Sequence, residues 1–113
     1  MEESILTSIK KLLNIAVDDK SFDQDILIHI NSVFMILNQM GVGTEQTFSI
    51  KDGTSKWVDF LGNSKELESV KTFIYLKVKM LFDPPANSSI TEAYNQLIRE
   101  FEWRLNSRVD YNT

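Results

Sequence analysis

Apolar residues recur at helical spacing along most of this chain. Between about Glu3 and Ile15, Ile5, Ile9, Leu12, Leu13 and Ala16 gather on or near one side, which predicts a first helix. The polar run Asp18-Asp19-Lys20-Ser21 breaks it. From about Phe22 to Met40, Ile26, Ile30, Val33, Leu37 and Met40 alternate at spacings of four and three, a narrow seam of the kind one helix packs on another. Gly41 then reads as a left-handed cap, with Gly43 close behind. Thr44 to Gly53 has no helical period. Phe48 and Ile50 alternate there with Thr47, Ser49 and Lys51, the pattern of a short extended arm or a hairpin limb. A brief helical turn, Ser55 to Leu61, presents Trp57, Val58, Phe60 and Leu61 before Gly62 ends it.

Ser64 is placed to cap a third long helix running to about Phe82, with Glu66 and Glu68 near its positive end. Leu67, Val70, Phe73, Ile74, Leu76, Val78, Met80 and Leu81 surround most of its circumference, so it belongs at the centre of a bundle. Asp83-Pro84-Pro85 stops it, since each proline lacks an N–H and Pro84 pushes Asp83 out of the α region. Ser89 and Glu92 form a capping box for a fourth helix, in which Ile90, Tyr94, Leu97, Ile98, Phe101 and Leu105 share one stripe as far as Asn106. Trp103 departs from the stripe. At about 100° per residue it points almost directly away, among Glu92, Gln96 and Arg99.

The pattern predicts an all-α fold, a small helical bundle of about four main helices with a long central loop or arm. One domain covers residues 1–113, with a flexible loop at about 41–54 and a flexible tail at about 107–113. That length suffices for a core without staples, and there is no cysteine, which excludes disulfides, thiolate metal sites and cysteine nucleophiles. The acidic start Met1-Glu2-Glu3-Ser4 is unlike a signal peptide. The most apolar run, Ile26 to Leu37, is interrupted by His29, Asn31 and Ser32 and is too short to span a bilayer. A soluble, cytoplasmic protein is therefore expected. Net charge is −4, where a duplex-binding module carries a basic surplus.

No catalytic constellation is visible. The single histidine, His29, follows Asp25 by one turn; as a residue at a packing edge it is better explained than as a general base. Asp18, Asp19, Asp23 and Asp25 lack the glycine and terminal glutamate of a calcium loop and suit a polar turn. Gly41-Val42-Gly43 follows a helix rather than a strand and has no P-loop lysine. Lys71, Tyr75 and Lys79, with Lys65 nearby, line one face that Glu68 interrupts, the composition of a solvated surface. No enzyme, cofactor or metal is expected.

Contact chemistry remains. Trp103 with Arg99 is one candidate surface. Ile28 and Met35, roughly opposite the seam of the second helix and flanked by neutral polar residues, are another; either the same chain or a neighbouring subunit covers them. The arm supplies Phe48, Ile50 and Trp57, which either anchor on a partner or tuck beneath their own bundle. Glu100 and Arg104 read as an intrahelical pair without function.

The helix pair, the glycine-bearing loop, the lysine-bearing apolar helix closing on Asp83-Pro84-Pro85, and the ending Tyr94-Asn95-Gln96-Leu97-Ile98-Arg99-Glu100-Phe101-Glu102-Trp103-Arg104-Leu105-Asn106 together resemble the head–tail connector proteins of long-tailed double-stranded DNA phages, often labelled DNA-packaging proteins. The likeness spans nearly the whole chain, and its specific part is the Asp-Pro-Pro turn with the Glu-Trp-Arg-Leu-Asn ending. It implies a virion structural protein without catalytic residues or cofactor. It further implies an adaptor subunit, monomeric when isolated, that forms a ring (a dodecamer in this family) under the portal. Such a ring extends the DNA channel and meets the stopper or tail-completion proteins. Genomic DNA would pass without sequence-specific binding, as a net negative subunit suits. Before assembly the subunit would reside in the cytoplasm of the infected bacterium. Neighbouring head-completion proteins share this size and helical character. The alternative from another class is a small helical regulatory protein binding a host protein or DNA, through the Lys71–Lys79 strip or the Gln24, Asn31 and Asn38 row.

Overall fold

The computed structural model describes residues 4–41, 48–61 and 67–112, with backbone alone for Leu61, Leu67 and 106–112. The fold is all-α: α1 (Ile5–Leu12), α2 (Asp23–Gln39), the short α3 (Trp57–Leu61), α4 (Leu67–Phe82) and α5 (Ser88–Asn112). α4 packs against both α2 and α5, and α1 packs on α2. The seam expected on α2 is buried from Ile26 to Leu37, and Leu27 and Phe34 widen it. α4 buries Val70, Phe73, Ile74, Leu76 and Val78 around its circumference, as a central helix must. In its last turn Leu81 is exposed, while Phe82 turns in against Phe22 with ring centroids 5.5 Å apart.

The helix ends follow local chemistry. Ser4, in extended conformation, caps α1 by accepting from the Thr7 amide at 3.1 Å. α1 stops at Leu12, earlier than the apolar pattern suggests, because Asn14 turns left-handed (φ 63°). Asn14 N–H then donates to the Lys11 carbonyl at 3.1 Å and Ile15 N–H to that of Lys10 at 2.9 Å, closing a Schellman motif. Gly41 ends α2 in the expected left-handed conformation (φ 84°). Val42 to Thr47, like Gly62 to Glu66 with the expected Ser64 cap, lie outside the described residues.

Two corrections concern α5. Its cap is Asn87 rather than Ser89: Asn87 Oδ1 accepts from the amides of Ser89 (2.8 Å) and Ile90 (3.3 Å), so the helix begins one residue before the expected capping box. Its backbone also continues to Asn112, where a tail without structure was expected after Asn106. Ser107 to Asn112 contain neither glycine nor proline, so nothing in the sequence stops the helix.

The connector from Phe48 to Lys56 is tied down at both ends. Asn31 on α2 holds it like the edge of a strand: its Nδ2 donates to the Ile50 carbonyl and its Oδ1 accepts from the Ile50 amide, both at 2.8 Å. At the other end the Ile5 amide donates to the Ser55 carbonyl at 2.9 Å, and Ser4 bridges to Lys56. Among the described residues this bridge is the sole extended pairing, so no hairpin limb forms there.

Candidate assembly surfaces

The arm expected to reach for a partner is built into the core. Phe48 packs against Phe34 and Phe60 with ring centroids 5.1 Å from each, and Phe34 lies 4.6 Å from Phe60. Ile50 and Trp57 are buried. Trp57 donates its indole N–H to Ser8 Oγ at 2.8 Å, across to α1. Of the two roles weighed for these three side chains, the fold takes the satellite core, because a two-aromatic platform on α2 and α3 gives Phe48 a better environment than water. Ile50 and Trp57 are thus enclosed by their own bundle, and Phe48 is half-buried against it.

Trp103 stands out from α5 with 71% of its surface exposed. Around it Gln96, Arg99, Glu100 and Arg104 line a shallow groove of about 400 Å³. Arg99 approaches Glu92 at 3.9 Å, an exposed and loose ion pair. Arg104 lies over the Phe101 ring at 5.5 Å, a position the Glu100 pairing expected from sequence did not anticipate. Opposite, Tyr94 and Phe101 are half-buried while Ile98 and Leu105 are buried; Ile90 and Leu97, expected on the inner stripe, sit at its exposed edge because α5 has a single packing neighbour of any extent.

On the outer side of α2, Ile28 is 60% and Met35 54% exposed. None of the described residues covers them. Their surround is Gln24, Asp25, Ser32 and Gln39, all exposed. Of the polar row considered for recognition, Asn31 is committed to Ile50.

The remaining candidates for chemistry have structural partners. His29 is half-buried with its ring 6.4 Å from that of Phe82, a packing edge. Lys71 approaches Glu68 at 3.7 Å and lies over the Trp57 ring at 5.4 Å, while Lys79 pairs with Asp83 at 2.9 Å. Tyr75 shares a hydrogen bond with Tyr94, and burial followed by that bond pushes its hydroxyl above the usual tyrosine range. Among the described residues no group of three or more His, Cys, Asp or Glu is placed to hold a metal ion. Nor is any described helix long and apolar enough to cross a membrane.

One feature escaped the sequence reading. Lys10 is 98% covered, with 2% exposure, and its Nζ donates to the carbonyls of Val17 (3.0 Å) and Asp19 (2.7 Å) while meeting Asp23 Oδ1 at 2.8 Å. The ammonium thus holds the α1–α2 turn closed. Its signal was present as a lysine on the flank of α1 followed by the acidic run Asp18, Asp19 and Asp23.

The fold is a small all-α bundle that leaves large apolar side chains exposed, Trp103, Ile28, Met35 and Leu81 the most open among them. The family model of the phage connector proteins matches residues 5–112, almost the whole chain, and the chain belongs to that family. No curated protein and no solved structure matches it. Its role is accordingly structural, in a phage particle, among other head and tail proteins.

Proposed function

We propose that the chain is an adaptor subunit that assembles as a ring under the portal, extends the DNA channel and joins head to tail. The observation that carries this is the match to the connector family over residues 5–112. The surface supports it: Trp103, Ile28 and Met35 are among the large apolar groups left exposed. Charge supports the passage of DNA without tight contact, since the net charge is −4 and two lysines of the candidate basic strip, Lys71 and Lys79, are engaged by Glu68 and Asp83. That engagement also weakens the reading as a DNA-binding regulator. The portal on one side and stopper or tail-completion proteins on the other are the partners, with the virion's head–tail junction as its place.

The test is the mass of the purified protein in solution, alone and mixed with the portal protein encoded beside it. A monomer that joins the portal as a ring is expected. A monomer or small dimer without affinity for the portal overturns the adaptor reading.

A further inference from the structure

The break between α1 and α2 contains no breaker residue: neither glycine nor proline stands between Ser4 and Gly41. Contacts hold it instead. The chain turns at Asn14, whose φ of 63° is a conformation that an L residue adopts at a cost. The Lys10 ammonium then gathers the Val17 and Asp19 carbonyls and the Asp23 carboxylate, and the Ser21 amide donates to Asp19 Oδ1 at 3.0 Å. A helix continued through residues 13–22 would keep its apolar faces aligned. At about 100° per residue, the buried positions of α1 (Ile5, Leu6, Ile9 and Leu13) and those of α2 would point within about 70° of one another, less than the width of either stripe. Ala16 falls between the two directions, and Asp19 and Asp23 interrupt the line with charges that water solvates in an opened chain. The segment can thus straighten without turning an apolar face to the wrong side.

The seat that α1 occupies is specific and apolar. Ile5 and Ile9 are fully buried in it, the Ile5 amide donates to the Ser55 carbonyl at 2.9 Å, and Ser8 Oγ accepts the Trp57 indole N–H at 2.8 Å. Such a seat is costly to leave empty in water, so α1 departs only where an identical helix replaces it. A second copy carries that helix. The ten residues 13–22 span about 33 Å when extended, against 35 Å for the middle dimension of the molecule, so an opened segment brings α1 to the seat of an adjoining copy. Passed in one direction around a closed assembly, each copy gives one α1 and receives one. The contacts between α1 and its seat are all remade. What is given up is the left-handed turn and the hold of Lys10 on its own Val17 and Asp19 carbonyls, while Asp23 of the receiving copy still meets the ammonium. We infer that α1 is exchanged between neighbouring copies on assembly, with residues 13–22 as the hinge and Lys10 as the catch that keeps α1 at home in the free subunit. The inference rests on the adaptor reading, which supplies the neighbours, and adds what passes between them.

Ser4 and Lys56 face each other across an antiparallel bridge, and the bond from the Ile5 amide to the Ser55 carbonyl makes them a non-hydrogen-bonded pair. Their Cα atoms are then about 4.5 Å apart, within reach of a disulfide. Because the chain has no cysteine, Ser4→Cys with Lys56→Cys reports which copy's α1 fills the seat. Melting curves first establish that the pair folds as the parent does. Thr7→Cys with Lys51→Cys, which line one cleft beside the same contact, give the same reading through a short bis-maleimide if loss of the Ser4 cap unfolds the first pair. Oxidised before mixing with the neighbouring portal protein, the variant has α1 pinned at home and should stay out of the ring that its reduced form and the parent join. Assembled first and oxidised afterwards, it should run as a ladder of covalent multimers, while each single variant stays monomeric. A ring that oxidises to monomers alone, a pinned subunit that joins as well as the reduced one, or self-linkage of a single variant overturns the exchange and leaves the adaptor reading standing. Failure of the parent to assemble with the portal overturns the adaptor reading, and the exchange falls with it.

Discussion

Lys10→Met tests what closes the turn between α1 and α2. Methionine keeps an unbranched stem of nearly the same length, so packing changes little while three polar contacts disappear. Those contacts are the carbonyls of Val17 and Asp19 and the carboxylate of Asp23, all within 3.0 Å of the ammonium. Asp23 Oδ1 is buried and accepts no well-aligned hydrogen bond among the described residues, so Lys10 is its main compensation. Stripping one partner from a fully buried ion pair costs about 3–5 kcal/mol. Here the Asp23 side chain keeps 21% exposure, and Val17 lies in an exposed turn, so water recovers part of the loss. The expected destabilisation is about 2–3 kcal/mol, a fall of about 10 °C in Tm. Thermal and urea unfolding would measure it, and amide exchange should accelerate first in residues 14–22. In the cycle with Asp23→Asn, the double variant should lose less than the sum of the singles by at least about 1 kcal/mol. A loss below about 0.5 kcal/mol with unchanged exchange in the turn would refute the argument, because it would place Lys10 among ordinary surface residues.

Four further outcomes follow from the geometry. Trp103→Ala should leave unfolding within about 0.5 kcal/mol of the parent yet weaken assembly with the portal about 30-fold, as truncating a central aromatic anchor does; a large stability loss would show Trp103 to be core. Trp57→Ala should do the reverse, costing about 3–5 kcal/mol of stability by emptying a buried site, and a neutral result by urea unfolding would contradict its burial. Asn31→Ala removes both bonds to Ile50 and should cost about 1–3 kcal/mol, with amide exchange rising in residues 48–55; unaltered exchange would mean that packing alone holds the connector. Asp19 is held below the ordinary aspartate value by the Ser21 amide and then its hydroxyl, and Asp52 by the Thr54 hydroxyl and then its amide. A lowered folded value means that these turns contribute their full stability above the ordinary value and lose it as pH falls through the folded one. Stability should therefore be insensitive to these two groups from pH 7 to about 5 and decline below about pH 4, and carboxyl chemical shifts titrating at or above the ordinary value would reject the turn geometry.

The long helices were legible because their apolar periods are strong and their stops are chemically blunt. The α2 seam, the Gly41 cap and the Asp83-Pro84-Pro85 break all stand where the pattern places them. Trp103 was legible as an outward residue for the same reason, since angular position on a regular helix needs no tertiary knowledge. What was hidden depends on contacts distant in sequence. Phe48 and Trp57 look like free aromatics in a polar stretch until Phe34, Phe60 and Ser8 arrive from other elements. The α5 cap was ambiguous locally, as Asn87 and Ser89 are both good caps, and the structure settles it with Asn87 Oδ1 accepting from the Ser89 and Ile90 amides. Lys10 was missed because helical patterning treats any lysine as solvated. Sequence periodicity cannot register three oxygens converging from a turn and the next helix.

The Asn31 clamp has a consequence for how such a chain can drift over generations. The connector beyond it is located by one amide side chain and by the start of α1, and Gly41 independently fixes where α2 lets go. Relatives that keep the clamp should keep an amide side chain at the position of Asn31 and the short, fixed separation between Ile50 and α3. A substitution at Asn31 would carry the whole connector with it.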